Sequence, residues 1–283
     1  MTLFQSRYAG KAQVLAAALL WSSAGLLIRG VDCGMLWLLV IRNGAAGLAL
    51  SPWLWREKDR FPWKQAWPAS LCYALFMMAF AMSTRWVGAA AAVAGQYTAP
   101  LFVYMYLAAR KKLMVRFSNA FPMGLIAAGC LIGLCAGGAL SVLAVCCGVL
   151  FPLYTAGLRR CQDLSAMSVM ALGNLLCAVL SLPAALCTEA LPASDSAALI
   201  ALAGVLVNGV AYAVYTKGAQ KVEPLTCMLL CLAEPVLNPV WVWVFLGEAP
   251  DAATLGSLLL ILGGGILDTL FSVLKGKRAH TSG

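Results

Sequence analysis

Long apolar runs, separated by short polar breaks, follow one another along the whole chain. Ten can be drawn, over residues 12–29, 35–54, 66–84, 88–109, 120–137, 140–158, 166–187, 196–215, 224–246 and 252–273. At 1.5 Å per residue such runs match the roughly 30 Å hydrocarbon core of a bilayer. The pattern predicts an all-α integral membrane protein of ten transmembrane helices, with connections too short to hold a soluble domain. The first run follows Arg7 and Lys11 and has the length of a signal peptide. Nine further runs behind it make it a retained first helix instead.

Composition agrees: 62% of the 283 residues are apolar, 11% are charged, and the mean hydropathy is +0.86. A net charge of +9 raises the question of nucleic acid. The basic residues, however, sit in clusters such as Arg56-Lys58-Arg60-Lys64 and Arg110-Lys111-Lys112-Arg116, inside the breaks. With the spans as drawn, only Arg29 and Arg85 fall in loops on the other side, and Arg42 falls within a span. The positive-inside rule then places both termini in the cytoplasm. The expected location is the cytoplasmic (inner) membrane of a bacterium.

The chain also carries a repeat. Placing Pro235 over Pro100 lays residues 208–235 over 73–100 without a gap, so that the breaks after Val87 and Val222 coincide. WSSAGLLIR (21–29) likewise lies over FPLYTAGLR (151–159). Five spans per half is odd, so the second half enters the membrane inverted. The expected units are residues 1–137 and 138–283, the second ending in a short cytoplasmic tail. Inverted repeats of this kind mark secondary transporters, whose substrate site lies near the midplane between the halves.

ALLWSSAGLLIR, VIRNGAAGLAL, YTAPLFVYMYLAARKK and LAEPVLNPVWVWVFLGE occur in spans one, two, four and nine. With ten helices in two five-helix repeats, the chain resembles the EamA family of the drug/metabolite transporter superfamily. That resemblance implies movement of a small metabolite, such as an amino acid, by alternating access, more often outward than inward.

Glu234 lies about ten residues from either end of its span, roughly 15 Å deep. An acid there is costly, and intramembrane ionisable groups tend to line pathways. It reads as a substrate or proton site, or as a structural acid bonded to a neighbouring helix. Pro235 and Pro239 withhold backbone donors, and Pro100 stands at the matching place in span four, so these three are the expected hinge or kink positions. Arg42 either snorkels outward or faces inward, to pair with Glu234 or to receive a carboxylate.

Trp21, Tyr73, Tyr97, Tyr104, Tyr154, Tyr212, Tyr215 and Trp241 lie within spans, whereas Trp37, Trp53, Trp55, Trp63, Trp67 and Trp86 read as interface anchors. The expected substrate-binding set is Trp21, Arg42, Gln96, Tyr97, Tyr154, Asn208, Tyr212, Glu234, Asn238 and Trp241. Spans one, three, four, six, eight and nine should line the cavity. An amino acid, an aromatic one included, or a related zwitterion fits opposite charges between apolar walls. The alternative is an organic cation or quaternary amine held by Glu234 and an aromatic box.

Asp268 reads as interfacial, and Cys33 and Cys187 lie near enough to the outer face for a disulfide to be considered. The glycines at 129, 133 and 137, with Gly256 and Gly263 to Gly265, suit close helix approach. Enzyme readings find little footing. The only histidine is His280, Asp268 has no second mid-membrane aspartate beside it, and no P-loop is present. No metal or cofactor is expected. The expected partners are a small-molecule substrate and the lipid bilayer, with no nucleic acid; protons are the candidate coupling ion, and an oligomer stays open.

Overall fold

A computed structural model describes residues 3–110, 117–161 and 165–281. Lys111, Lys112 and Arg116, expected in a cytoplasmic basic cluster, lie outside the described residues. Among the described residues all regular structure is helical: α1 (Leu3–Ser22), α2 (Ala24–Arg29), α3 (Met35–Glu57), α4 (Trp63–Trp86), α5 (Ala89–Tyr97), α6 (Ala99–Ala109), α7 (Phe117–Gly137), α8 (Val142–Leu158), α9 (Ala166–Thr188), α10 (Ser194–Ala203), α11 (Ala211–Ala219), α12 (Pro224–Cys231), α13 (Ala233–Leu246) and α14 (Ala252–Thr281). A π-helical segment, Gly204–Val210, joins α10 to α11.

Seven segments among the described residues are long and apolar enough to cross a membrane. They are Tyr8–Arg29, Met35–Arg60, Trp63–Trp86, Ala166–Thr188, Ser194–Ala219, Thr226–Leu246 and Ala252–Phe271. Of the other expected spans, two form shorter apolar helices, Ala120–Ala136 and Val142–Leu158, and the fourth is interrupted at Thr98 between α5 and α6.

Two of the seven are themselves interrupted: the first at Ser23, the ninth at Leu232. The prolines account for two of these three breaks. Helix α6 restarts at Ala99 and α13 at Ala233, which places Pro100 and Pro235 in a first turn, where no backbone donor is needed. Pro239 instead sits inside α13 without interrupting it.

The principal helix pairs each join one half of the chain to the other: α3 with α9, α7 with α14, α4 with α8, and α1 with α11. Lipid is as apolar as the helix surfaces, so close backbone approach has to hold such pairs. Gly129 lies against the Ser257 carbonyl and Gly264 against the Pro122 carbonyl, and Ser257 donates to Gly129 O at 2.7 Å. Gly256, Gly263 and Gly265 take no part in such contacts. The halves join through Gly138, whose φ of 65° is the left-handed conformation that a turn this tight requires.

Helices α3 and α9 run antiparallel and cap one another. At one end the Glu189 carboxylate accepts from the Leu36 and Trp37 amides at 3.0–3.1 Å. Gly34 leaves it room, since a Cβ there would meet Glu189 Oε2 at 2.2 Å. At the other end Glu57 accepts from Ser165 N at 3.1 Å and from the Ser168 hydroxyl. Each acid sits on exposed amides at the positive end of the partner helix. Glu57→Ala and Glu189→Ala should each cost about 1 kcal/mol, in the range of lost helix caps. Thermal unfolding in detergent checks this: unchanged midpoints in both variants would show that the caps do not stabilise the pair.

Two sequence expectations are corrected. Trp37 is no interface anchor but is 7% exposed, with Nε1 donating to Glu189 O at 3.2 Å. The α9 terminus packs over it. Cys33 and Cys187 are both free; Cys33, within the loop before α3, is buried, whereas Cys187 is exposed.

Candidate functional site

A cavity of about 1100 Å³ lies between the two halves. Its deep end is formed by Trp21, Arg42, Gln96, Asn208, Tyr212 and Glu234. From there it runs past Tyr104 and Tyr154 to Leu107, Leu158, Ala219 and Val222, at the ends of α6, α8 and α11. Those helix ends carry Arg110, Arg159, Arg160, Lys217 and Lys221, so the cavity extends toward the basic side.

The opposite side is sealed. Helices α2 and α13 pack together there, so closely that a Cβ on Gly25 would lie 2.0 Å from Asn238 Oδ1. Beyond that contact Arg29 forms an ion pair with Glu248, and its Nη1 donates to Thr84 O at 2.8 Å. Arg85 gathers the loop before α3 by donating to Ile28 O at 2.6 Å and Val31 O at 3.1 Å. The two arginines that stood apart in the charge pattern thus close one end of the molecule.

Arg42 does not snorkel: it is 4% exposed and lines the cavity. Its Nη2 donates to Asn208 Oδ1 at 2.9 Å, whereas Nη1 is buried with no hydrogen-bond partner among the described residues. Glu234, 9% exposed, lines the same cavity. Among the described residues it takes part in no ion pair or hydrogen bond, so the expected pairing of Arg42 with Glu234 is not made. Glu234 is near enough to Tyr97 and Tyr212 to act on both electrostatically.

The walls are aromatic. Trp21 meets Tyr212 and Tyr215 at ring-centre distances of 4.7 and 5.1 Å, and its Nε1, like the Tyr104 hydroxyl, is buried without a partner. Across the cavity Phe151 packs on Phe76 at 5.4 Å.

Eight of the ten expected binding residues therefore line one cavity: Trp21, Arg42, Gln96, Tyr97, Tyr154, Asn208, Tyr212 and Glu234. Asn238 and Trp241 do not. Asn238 shares the helix face of Glu234, but α2 crosses at its level and Gly25 covers it. Trp241 turns toward α1 and donates to Ser22 Oγ at 2.9 Å. Pro100 lines the cavity, while Pro235 and Pro239 are buried in packing. Tyr73 lies behind the wall, 5.0 Å from the Tyr154 ring.

Phe76, Phe80 and Phe151 are wall residues that nothing in the sequence distinguishes from packing phenylalanines. Asp268 and Thr269 of α14 also line the cavity, so Asp268 is not simply interfacial. The last helix, Arg42 of the second span, Met123 of the fifth and Met170 of the seventh add to the six spans expected to form the wall.

The family's sequence pattern matches the chain twice, over residues 9–135 and 138–269. The chain belongs to the EamA-like transporter family. It is thus a multi-pass membrane transporter of the drug/metabolite transporter type, built from two repeats, and the cavity lies between the two matched segments. A solved structure titled only "Crystal structure of protein" is similar with a TM-score of 0.62 at 21% identity, covering 93% of this chain and 98% of its own. That likeness shows a shared fold. No curated protein matches the chain.

Proposed function

We propose that this EamA-like transporter is a secondary-active, alternating-access exporter of a small zwitterion, most directly an amino acid with a bulky apolar or aromatic side chain. One observation carries the reading. Arg42, with a buried donor unpartnered among the described residues, and Glu234, which takes part in no ion pair or hydrogen bond among them, line one cavity without pairing with each other. Desolvated charges left apart are costly, and a ligand bearing a carboxylate and an ammonium would satisfy both. Trp21, Tyr97, Tyr212 and Phe151 offer its side chain an apolar wall. An organic cation is the weaker reading, because it would leave the buried Arg42 donor in the same cavity unsatisfied.

Ten transmembrane helices in two inverted five-helix repeats, divided between residues 137 and 138, complete this reading. The reciprocal caps of α3 and α9, and the matching restarts ahead of Pro100 and Pro235, support it. By the positive-inside rule both termini, and the end of the cavity that reaches α6, α8 and α11, lie in the cytoplasm of a cytoplasmic-membrane protein, so substrate loads from within. Glu234 is also the residue on which proton coupling would fall.

The outer seal supports alternating access. Neither amide atom of Asn238 has a partner among the described residues, although Asn238 is 0% exposed. Such burial costs about 1–3 kcal/mol, and parting α2 from α13 would relieve it. The breaks at Ser23 and Leu232 would be the hinges.

The test begins with thermal shift against the twenty amino acids and a set of quaternary amines. A specific binder at 100 times its Kd should stabilise by about 2.7 kcal/mol. Counterflow in proteoliposomes then compares wild type with Arg42→Gln. Loss of amino-acid counterflow by about tenfold or more, with size-exclusion behaviour kept, is expected. Stabilisation by amines alone, or Arg42→Gln transporting amino acids normally, would overturn the zwitterion reading.

A further inference from the structure

We infer that Asn208 is a positioning and specificity-determining residue: it holds Arg42 with an uncharged oxygen, so that the guanidinium keeps both a free donor and its full charge for a substrate carboxylate. This rests on the zwitterion reading above.

The orientation of the Asn208 amide follows from a chain of hydrogen bonds. Asn43 on α3 donates its Nδ2 to Leu39 O at 2.9 Å, and Asn174 on α9 donates its Nδ2 to Met170 O, also at 2.9 Å. With their nitrogens held by their own helices, both side chains present oxygens inward. Asn208 donates its Nδ2 to those oxygens, at 3.3 and 3.4 Å. Its own oxygen is thereby turned toward Arg42, which donates from Nη2 at 2.9 Å. A flipped Asn208 would set its oxygen against two oxygens and its NH2 against a guanidinium that only donates. One orientation is left.

The backbone is arranged around the same contact. Asn208 sits in the π-helical segment 204–210, and a Cβ on Gly204 would lie 2.0 Å from Arg42 O. Segment and α3 can approach this closely only with glycine there. A wide turn of this kind inside a helix is frequent at functional sites.

The chemistry of the holder is what matters. An aspartate in place of Asn208 would bind Arg42 as an ion pair and cancel the charge offered to the cavity. A neutral amide anchors one nitrogen without doing so, and it leaves Nη1 as the remaining buried donor. Glu234 then keeps its part toward the ammonium.

The experiment uses proteoliposome uptake of L-phenylalanine, L-tryptophan and L-leucine, and of the amines that lack their carboxylates: phenethylamine, tryptamine and isopentylamine. Asn208→Asp should raise KM for the amino acids by about tenfold or more and shift the preference toward the amines. Asn43→Ala, which removes one of the two oxygens that orient Asn208, should raise KM for the amino acids more than it lowers the maximal rate. In an Arg42→Gln background, Asn208→Asp should add no further shift in preference. Equal losses for both probe classes in Asn208→Asp and Asn43→Ala would make the role purely structural and overturn the inference, as would an unaltered preference. If Asn208→Asp does not fold by size exclusion, Asn43→Ala decides in the same terms. Wild type that carries none of the six probes, or carries the amines no less efficiently than the amino acids, would instead overturn the zwitterion reading itself.

Discussion

Glu234→Gln is expected to lower transport by roughly a hundredfold, because removing one member of a buried charge pair with substrate costs about 2–5 kcal/mol. Folding should survive. Glutamine keeps the shape, and among the described residues Glu234 forms no ion pair or hydrogen bond that the change would break. The site is 9% exposed and lined by Tyr97 and Tyr212, so few waters can screen the lost charge. Counterflow and size exclusion on the same preparation decide it. Normal transport would refute a charge role, whereas an aggregated protein would make Glu234 a structural acid. Comparison with Arg42→Gln divides the work between the two ends of the substrate: loss of Glu234 should affect amino acids and amines alike, loss of Arg42 the amino acids selectively.

Much of this was legible from residue types at depth. Apolar runs fixed by bilayer thickness located the helices, and an acid and an arginine far inside their spans pointed at a cavity because each is expensive in lipid. Which way a side chain turns was less legible. Arg42 reads equally as outward or inward in sequence, and only the approach of Gly204 to its carbonyl and the Asn208 oxygen decide for inward. Asn238 failed for a related reason. Its spacing of four from Glu234 puts it on the same helix face, but the residue that covers it, Gly25, is more than two hundred positions away. Phe76 and Phe151 carried no signal, since an aromatic ring packs in a core and in a cavity wall by the same chemistry. Proline within a span predicts a hinge or kink at its own position, whereas the chain breaks two or three residues earlier and restarts so that Pro100 and Pro235 fall in a first turn.

Linking α2 to α13 is expected to abolish transport reversibly. In the present form Gly25 faces Asn238, and a Cβ at position 25 would lie 3.1 Å from Asn238 Cγ. Cysteines at these two positions would thus have their Cβ atoms near the 3.5–4.5 Å that a disulfide requires. Replacing Asn238 also removes the oxygen that would collide with the new side chain, and leaves Ala89 as the neighbour that must give way. Oxidation of Gly25→Cys/Asn238→Cys should hold α2 and α13 together at the end away from the basic side, with the Arg29–Glu248 pair intact above them. Substrate could then enter from the basic side but not leave on the other. Counterflow should fall to the level of empty liposomes, while thermal stabilisation by the amino acid that binds best should persist, since the cavity itself is untouched. Dithiothreitol should restore transport. Wild type and the two single variants, which keep the native cysteines, serve as controls and should not respond to the oxidant. Full transport by the oxidised, demonstrably cross-linked protein would mean that transport does not need α2 and α13 to separate, and the gate at this end would have to be sought elsewhere.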